Sequence, residues 1–473
     1  RNQRPACGYG IEAGAGEVSV DVVESGSERR AQRHGIGDEL SDPKESSASI
    51  PYARAMPKNR RSKHSLLRPL HSKCMVLVLG FAASFSLACA SLTPADDDLH
   101  FSSIVVDGHS DTTPRFADPD WNFGERHSDT DGDMDLPRIR EGGLDVQFWS
   151  VYTGKLDAPG DGLRIALERI DAVHEMAARF PEDVVVAHNV SEIREAVSEG
   201  KLVSLMGIEG GHIIEQSLPA LRNFYRLGVR YMTLTHSFNT RWADSSGTTT
   251  IPEPEHFGLT DFGREIVREM NRLGMLVDIS HVSDETFFDA LETSVAPVIA
   301  SHSSTRAIAD HPRNMSNEML RALGENGGVV MINFYPAYID EAASVATRAY
   351  FAKHGPRLAE MRKEAEGDPK RRAVLFRKYT QEFPVPQTSL DVLLDHFDHA
   401  IATAGPEHVG LGADWDGVAS MPVGMEDVSR LPALTEGLLA RGHSPETIRG
   451  VLGENVLRVL ERAEVVSREM RAP

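Results

Sequence analysis

Cysteine is nearly missing from this 473-residue chain: there are three, Cys7, Cys74 and Cys89, and none follows. The body of the protein therefore has no disulfide, no thiolate metal site and no thiol nucleophile, so its chemistry must come from His, Asp, Glu, Ser, Lys or Arg. A basic excess is missing too. The formal net charge is −20, which argues against nucleic acid as a partner, since that needs a basic face. No phosphate-binding loop is present: "GLGADWDG" at 410–417 is Gly-rich but has no G-x-x-x-x-G-K pattern. Internal repeats and long low-complexity linkers are also lacking. With 41% apolar and 25% charged residues, the chain suits an ordinary globular protein with a sizeable core.

The one long apolar run is "CMVLVLGFAASFSLACA", residues 74–90. It is short for a membrane span, which needs about 20 apolar residues. Before it, Met56 to Lys73 carries six Lys or Arg and no acid. A basic region, an apolar region and the small-residue Ala88-Cys89-Ala90 make 56–90 a secretory signal, so an exported, periplasmic or membrane-anchored protein is expected. "SLAC" also resembles a lipoprotein cleavage box with Cys89 as the lipidated residue, although Ser86 departs from that pattern. Residues 1–55 are rich in Gly, Ser, Glu and Arg without a sustained period. Met56 is the expected true start, with 1–55 a non-native or disordered extension.

From about residue 91 to 473 a single barrel domain is expected. Short β-branched runs alternate with amphipathic stretches. The runs are 104–109, 144–152, 202–209, 229–236, 276–281, 297–302, 328–334 and 409–416. Helix-like segments at 161–180, 217–227, 260–273, 283–293, 317–326 and 389–404 lie between them, several opened by a capping residue: Ser217, Thr260, Ser283 or Ser389. Eight such alternations predict a (β/α)8 TIM-type barrel, with a doubly wound sheet as the competitor. The charged stretch 340–382 reads as a helical excursion with a solvated face, and 418–473 as closing helices. "DTDGDMD" at 129–135 resembles the start of a calcium loop, but its Gly is misplaced and Arg140 stands where a bidentate Glu belongs, so it reads as a solvated acidic loop.

The polar residues decide between barrel and sheet. His109, Asp111, Glu209, His236, His281, His302 and Asp414 stand at the ends of six of the runs. Barrel strands bring those ends to one mouth, where active sites form. His109 and Asp111, two apart, share a face. Any one such histidine is more often an ordinary surface or core residue; the set is the signal. Three histidines and two carboxylates are too many for one open tetrahedral zinc site and suit two ions. Glu209 can bridge them, with His109 and Asp111 on one and His281 and His302 on the other. His127, His174, His188, His212, His256, His311 and His443 are assigned no catalytic role.

The blocks "DGHSDT", "GGLDVQFWSVY", "GIEGGH", "LGVRYMTLTHSFNTRWADSS", "GLTDFGREIVREMNRLGMLVDISHVS", "PVIASHSSTRAIADHPRNM", "GGVVMINFYPAYI" and "HVGLGADWDGV" occur in this order over roughly 104–455. Together they resemble the zinc-dependent membrane dipeptidases, the renal dipeptidase family and its bacterial relatives, peptidase family M19. The resemblance implies a (β/α)8 barrel of the metal-dependent hydrolase type that hydrolyses dipeptides with a hydroxide between two zinc ions. It implies His109, Asp111, Glu209, His281 and His302 as ligands and Asp414 as acid/base. It further implies His236 as a non-ligand that contacts substrate and the tetrahedral intermediate, Arg313 as the grip on the substrate carboxylate, and Tyr338 in the substrate pocket. A homodimer is usual in that family. Trp415 stands where Phe or Tyr is commoner, and neither the cysteines of mammalian relatives nor a C-terminal anchor signal is found. Two rivals remain: another amidohydrolase-type barrel, many of which bridge their metals with a carbamylated Lys, and an inactive surface-binding protein on the same scaffold. No strand end here supplies a Lys, and no expected ligand has been lost.

Overall fold

A computed structural model describes residues 99–128, 131–154, 158, 160–248, 250–365 and 369–472. The 1–55 extension, the 56–90 leader and Cys89 lie outside these residues. Nine parallel strands form one sheet: β1 Val106–Ser110, β2 Val146–Val151, β3 Val184–Val186, β4 Leu202–Glu209, β5 Val229–Thr233, β6 Leu276–Asp278, β7 Ile299–Ser303, β8 Val329–Ile332 and β9 Val409–Leu411. The order is β2-β1-β9-β8-β7-β6-β5-β4-β3, and β2 also pairs with β4, from Val146 opposite Val203 to Val151 opposite Ile208. That pairing closes a (β/α)8 barrel and leaves β3 as an appendage beside the first residues of β4. The eight apolar runs are the eight barrel strands. β3, three valines, is too short to show a period and was not among them.

Alternation within each strand sorts side chains between two apolar clusters. Val106, Phe148, Leu205, Tyr231, Ile299 and Met331 come from strands all round the barrel and meet in its interior. Trp149, Met206, Ile208, Met232 and Ile332 join the larger cluster with the surrounding helices. The helix Asn455–Arg471 adds Val456, Leu457 and Leu460 to the interior cluster. The turn before it fits against the start of β1 because Gly453 has no Cβ; one there would lie 2.4 Å from the Ile104 carbonyl. The chain thus closes the end of the barrel opposite the mouth.

The helices begin where hydroxyl residues satisfy their free N–H groups. Ser217, Thr260, Ser283 and Ser389 each accept from the backbone N–H three residues on, and so does Ser316. The 340–382 excursion is helical, as Glu341–Glu364 and Pro369–Glu382, stapled by His354 Nδ1 and the Tyr379 hydroxyl at 2.7 Å. Among the described residues no helix is long and apolar enough to cross a membrane.

The acidic loop is a correction: Asp131 is partly exposed, but Asp133 and Asp135 are held by partners rather than by solvent. Asp135 is buried, caps the helix Leu136–Glu141 and accepts from the Arg138 backbone at 2.9 Å and its guanidinium at 2.7 Å. Asp133 and Asp416 accept each other's backbone N–H at 3.0 and 2.9 Å, and Arg115 pairs with Asp416 at 3.2 Å. Burial pushes the Asp133 carboxyl up to about 7. Arg138 nearby and Asp416 far along the chain together turn most of a charged run into a paired network.

One buried histidine ties the outer helices to the loops above the strands. His396 Nδ1 accepts the Thr305 backbone N–H at 3.1 Å, so that nitrogen carries no proton, and Nε2–H donates to the Ile339 carbonyl at 2.8 Å. Burial lowers its pKa from 6.5 to about 4. The unfolded chain therefore binds more protons than the fold in that window. The contribution of His396 is complete above about pH 6.5 and is lost as pH falls, by at most roughly 3 kcal/mol. His396→Gln should accordingly lower the Tm more at pH 7 than at pH 5. Equal losses at the two pH values would contradict this.

Candidate active site

The polar residues named from the sequence come together at one end of the barrel. Glu209 is the last residue of β4, His109 lies within β1 and His302 within β7. Asp111 directly follows β1, while His236, His281 and Asp414 stand three residues beyond β5, β6 and β9. His281 and Asp414 have φ of 68° and 69°, a left-handed conformation costing ~1–3 kcal/mol for a non-glycine residue. The surroundings hold it: the His281 carbonyl accepts from Ser246 N–H at 2.9 Å and the Thr235 hydroxyl at 2.8 Å, and Asp414 N–H donates to the His109 carbonyl at 3.1 Å. Asp111 N–H in turn donates to the Trp415 carbonyl at 2.8 Å, so the ends of β1 and β9 lock each other.

Glu209 is the centre. Its Oε1 lies 3.2 Å from His281 Nε2 and 3.5 Å from Nε2 of both His236 and His302. Its Oε2 lies 3.5 Å from His109 Nε2, which is also 3.5 Å from Asp111 Oδ2. Gly210, with φ of 108°, then turns the chain away. His281 and His302 bring Nε2 atoms within 2.8 Å of each other, and the His109 and His302 rings stack at 3.9 Å. Donor atoms within 4.8 Å of one another form three groups: His109, Glu209, His302; Glu209, His236, His281; and His109, Asp111, Asp414. His302 thus reaches both His109 and His281, and His236 stands as near Glu209 as the expected ligands do.

Electrostatics suit cations. Burial favours a neutral Glu209, yet His109 and His236 hold its carboxyl well below the usual range. His281 and His302 are held well below the ordinary imidazole value, first by burial and then by neighbouring positive groups including Arg313. Neutral imidazole is the form that binds metal. His109 is the exception: despite burial, Tyr231, Glu209 and Asp111 raise it. Its Nε2 is buried with no hydrogen-bond partner among the described residues while facing two carboxylates. An orphaned ring nitrogen among carboxylates and crowded imidazoles is what a divalent cation would satisfy, and N/O donors without thiolate suit zinc.

Arg313 and Tyr338 flank this centre. Arg313 is almost fully buried; its Nη2 donates to the His302 carbonyl at 3.0 Å, its guanidinium lies 5.5 Å from the Tyr338 ring centroid, and Nε has no partner among the described residues. Burial pushes the Asp414 carboxyl up to about 7, helped by Asp111 and Glu209, and Asn333 Nδ2 donates to its Oδ2 at 2.9 Å.

Several neighbours were not singled out from the sequence. Tyr152 reaches His236 Nδ1 at 3.4 Å, Ser150 donates to Glu209 Oε2 at 3.0 Å, and His311 packs on Tyr338 with centroids 4.5 Å apart. Tyr231 crosses the barrel to His109 Nδ1 at 2.8 Å. The available signal was Gly207: a Cβ there would lie 1.9 Å from the Tyr231 ring, so "LMGIE" carries the gap that the tyrosine fills.

Known proteins resemble this chain in sequence and fold. The sequence profile described as membrane dipeptidase (peptidase family M19) matches residues 95–473. The probable dipeptidase PvdM from Pseudomonas aeruginosa superposes with a TM-score of 0.65 at 23% identity, covering 78% of this chain and 98% of that one, a likeness of fold. Dipeptidase AC, a metallopeptidase of family M19, gives 0.62 at 28% identity over 76% and 98%. A metallopeptidase from Rhodobacter sphaeroides, liganded with a phosphinate mimic of the dipeptide L-Ala-D-Ala, gives 0.61 at 26% over 76% and 99%.

Proposed function

The chain belongs to the membrane dipeptidase family, peptidase family M19, and on that premise we propose that it hydrolyses the peptide bond of dipeptides with two zinc ions. The observation that carries this reading is the convergence of four imidazoles on Glu209, with Arg313 beside them. His109 and Asp111 would hold one ion, His281 and His302 the other, and Glu209 would bridge. Bound there, two zinc ions supply a water acidified toward pKa ~7 and polarisation of the scissile carbonyl.

The remaining work falls to the chain. Asp414 takes the proton of the attacking water and returns it to the leaving amine; Asn333 fixes one of its oxygens for this purpose. His236 meets the Tyr152 hydroxyl through Nδ1; with the hydroxyl as donor there, Nε2–H would be left to donate to the developing oxyanion. Such a donor is typically worth ~3–4 kcal/mol. Arg313 offers its unpaired Nε–H and its charge to the C-terminal carboxylate of the substrate, with Tyr338 closing the pocket beside it. The carboxylate contact sets substrate length, because a longer peptide would place a neutral amide there. The same reading takes the enzyme as exported, on the strength of the basic and apolar leader at 56–90.

The test compares a dipeptide with its C-terminal amide. Wild type should prefer the acid by about 10²–10³ in kcat/KM, the equivalent of ~3–4 kcal/mol of charge-assisted bonding. Arg313→Ala should lose that preference while retaining the fold. If Arg313→Ala discriminates acid from amide as strongly as wild type, Arg313 does not read the carboxylate.

A further inference from the structure

Each imidazole can offer only one unprotonated nitrogen to a metal, and the partner of the other nitrogen decides which. Around His302 the choice is forced. The Ser301 hydroxyl lies 2.7 Å from Asp278 Oδ2 and 2.8 Å from His302 Nδ1. Asp278 also accepts from the Thr233 hydroxyl at 2.6 Å and from the Ser280 and Ser301 backbone N–H groups at 3.1 and 2.8 Å. A carboxylate with that many donors accepts only, so the Ser301 proton goes to Asp278. The Ser301 oxygen must then accept from His302 Nδ1–H. The lone pair of His302 is left on Nε2, which faces Glu209 at 3.5 Å.

His109 repeats the arrangement with different residues. The Tyr231 hydroxyl lies 3.2 Å from the Gly108 carbonyl and 2.8 Å from His109 Nδ1. It has one proton, and a carbonyl only accepts. One assignment satisfies both contacts: Tyr231 donates to Gly108, and His109 Nδ1–H donates to Tyr231. In the neutral ring that binds metal, the lone pair again falls on Nε2, the orphaned atom facing Asp111 and Glu209. His281, by contrast, has no partner at Nδ1 among the described residues.

We infer that Tyr231 and the Ser301–Asp278 pair are positioning residues, one for each ion of the two-zinc centre, which fix the tautomers that His109 and His302 present to metal. This rests on the two-ion reading above and assigns a separate support to each ion. Ring nitrogens of metal-binding histidines that lose such a partner typically lose ~10–100-fold in metal affinity.

The experiment is zinc competition on the metal-free full chain against a chromophoric chelator, which resolves successive binding steps. Tyr231→Phe, which keeps the ring against Gly207, should weaken one step by about 10–100-fold. Ser301→Ala should weaken the other, and Ser301→Thr, which keeps the hydroxyl, should restore it. Circular dichroism of each metal-free variant reports the fold. If Tyr231→Phe does not fold, the Ser301→Ala and Ser301→Thr pair decides. Unchanged affinities in folded variants overturn the inference, as does Ser301→Thr binding no better than Ser301→Ala. A wild-type chain that binds one ion defeats the two-ion reading instead, and the variant that weakens that ion still identifies the supported histidine.

Discussion

Replacing Glu209 by Gln is expected to cost at least about a thousandfold in dipeptide kcat/KM, the equivalent of ~4 kcal/mol. Gln keeps the size of the side chain and its contact with Ser150 but removes the charge that four imidazoles face. The amide nitrogen would also bring protons toward ring nitrogens whose lone pairs are meant for cations. Both ions are expected to bind more weakly, because the bridge belongs to both. Elemental analysis of the purified variant should therefore show less than the wild-type metal content. Wild-type content together with wild-type turnover would remove Glu209 from the centre.

Asp414→Asn should fail in a different way. Its assigned task is proton transfer, which contributes typically ~10²–10⁴-fold. The amide cannot take a proton from water, so kcat should fall by that factor while the metal content stays at the wild-type level. The backbone at Asp414 is left-handed, a conformation Asn also tolerates, so the fold should survive. This comparison matters because Asp414 shares a donor group with His109 and Asp111. Loss of an ion in Asp414→Asn would make it a ligand and leave the proton transfer to another residue.

The barrel was legible because its strands carry a local signal, short β-branched runs, six of which end on a candidate ligand or catalytic residue. Glu209, His109 and His302 could be placed from that signal alone. His281 and Asp414 lie three residues beyond the hydrogen-bonded part of their strands, yet the runs "LVDISH" and "VGLGADWD" carried the reading to them. What stayed hidden is the layer holding the ligands. Tyr231 and His109 are 122 residues apart, and Asn333 and Asp414 are 81 apart. Before barrel closure Tyr231 is an ordinary strand residue and Asn333 the residue after a strand, neither with a local mark of its role. The acidic loop shows the converse error: Asp133 reads as solvated because its partner Asp416 lies 283 residues away, and Asp135 because nothing local shows that its pair with Arg138 is buried.

A zinc titration of the metal-free chain, with dipeptide hydrolysis and bound metal measured together, tests the two-ion centre most directly. The metal-free protein should be inactive, and activity should rise with added zinc to a plateau at two ions per chain. Full hydrolysis in strong chelator, after removal of the metal has been confirmed, would contradict it.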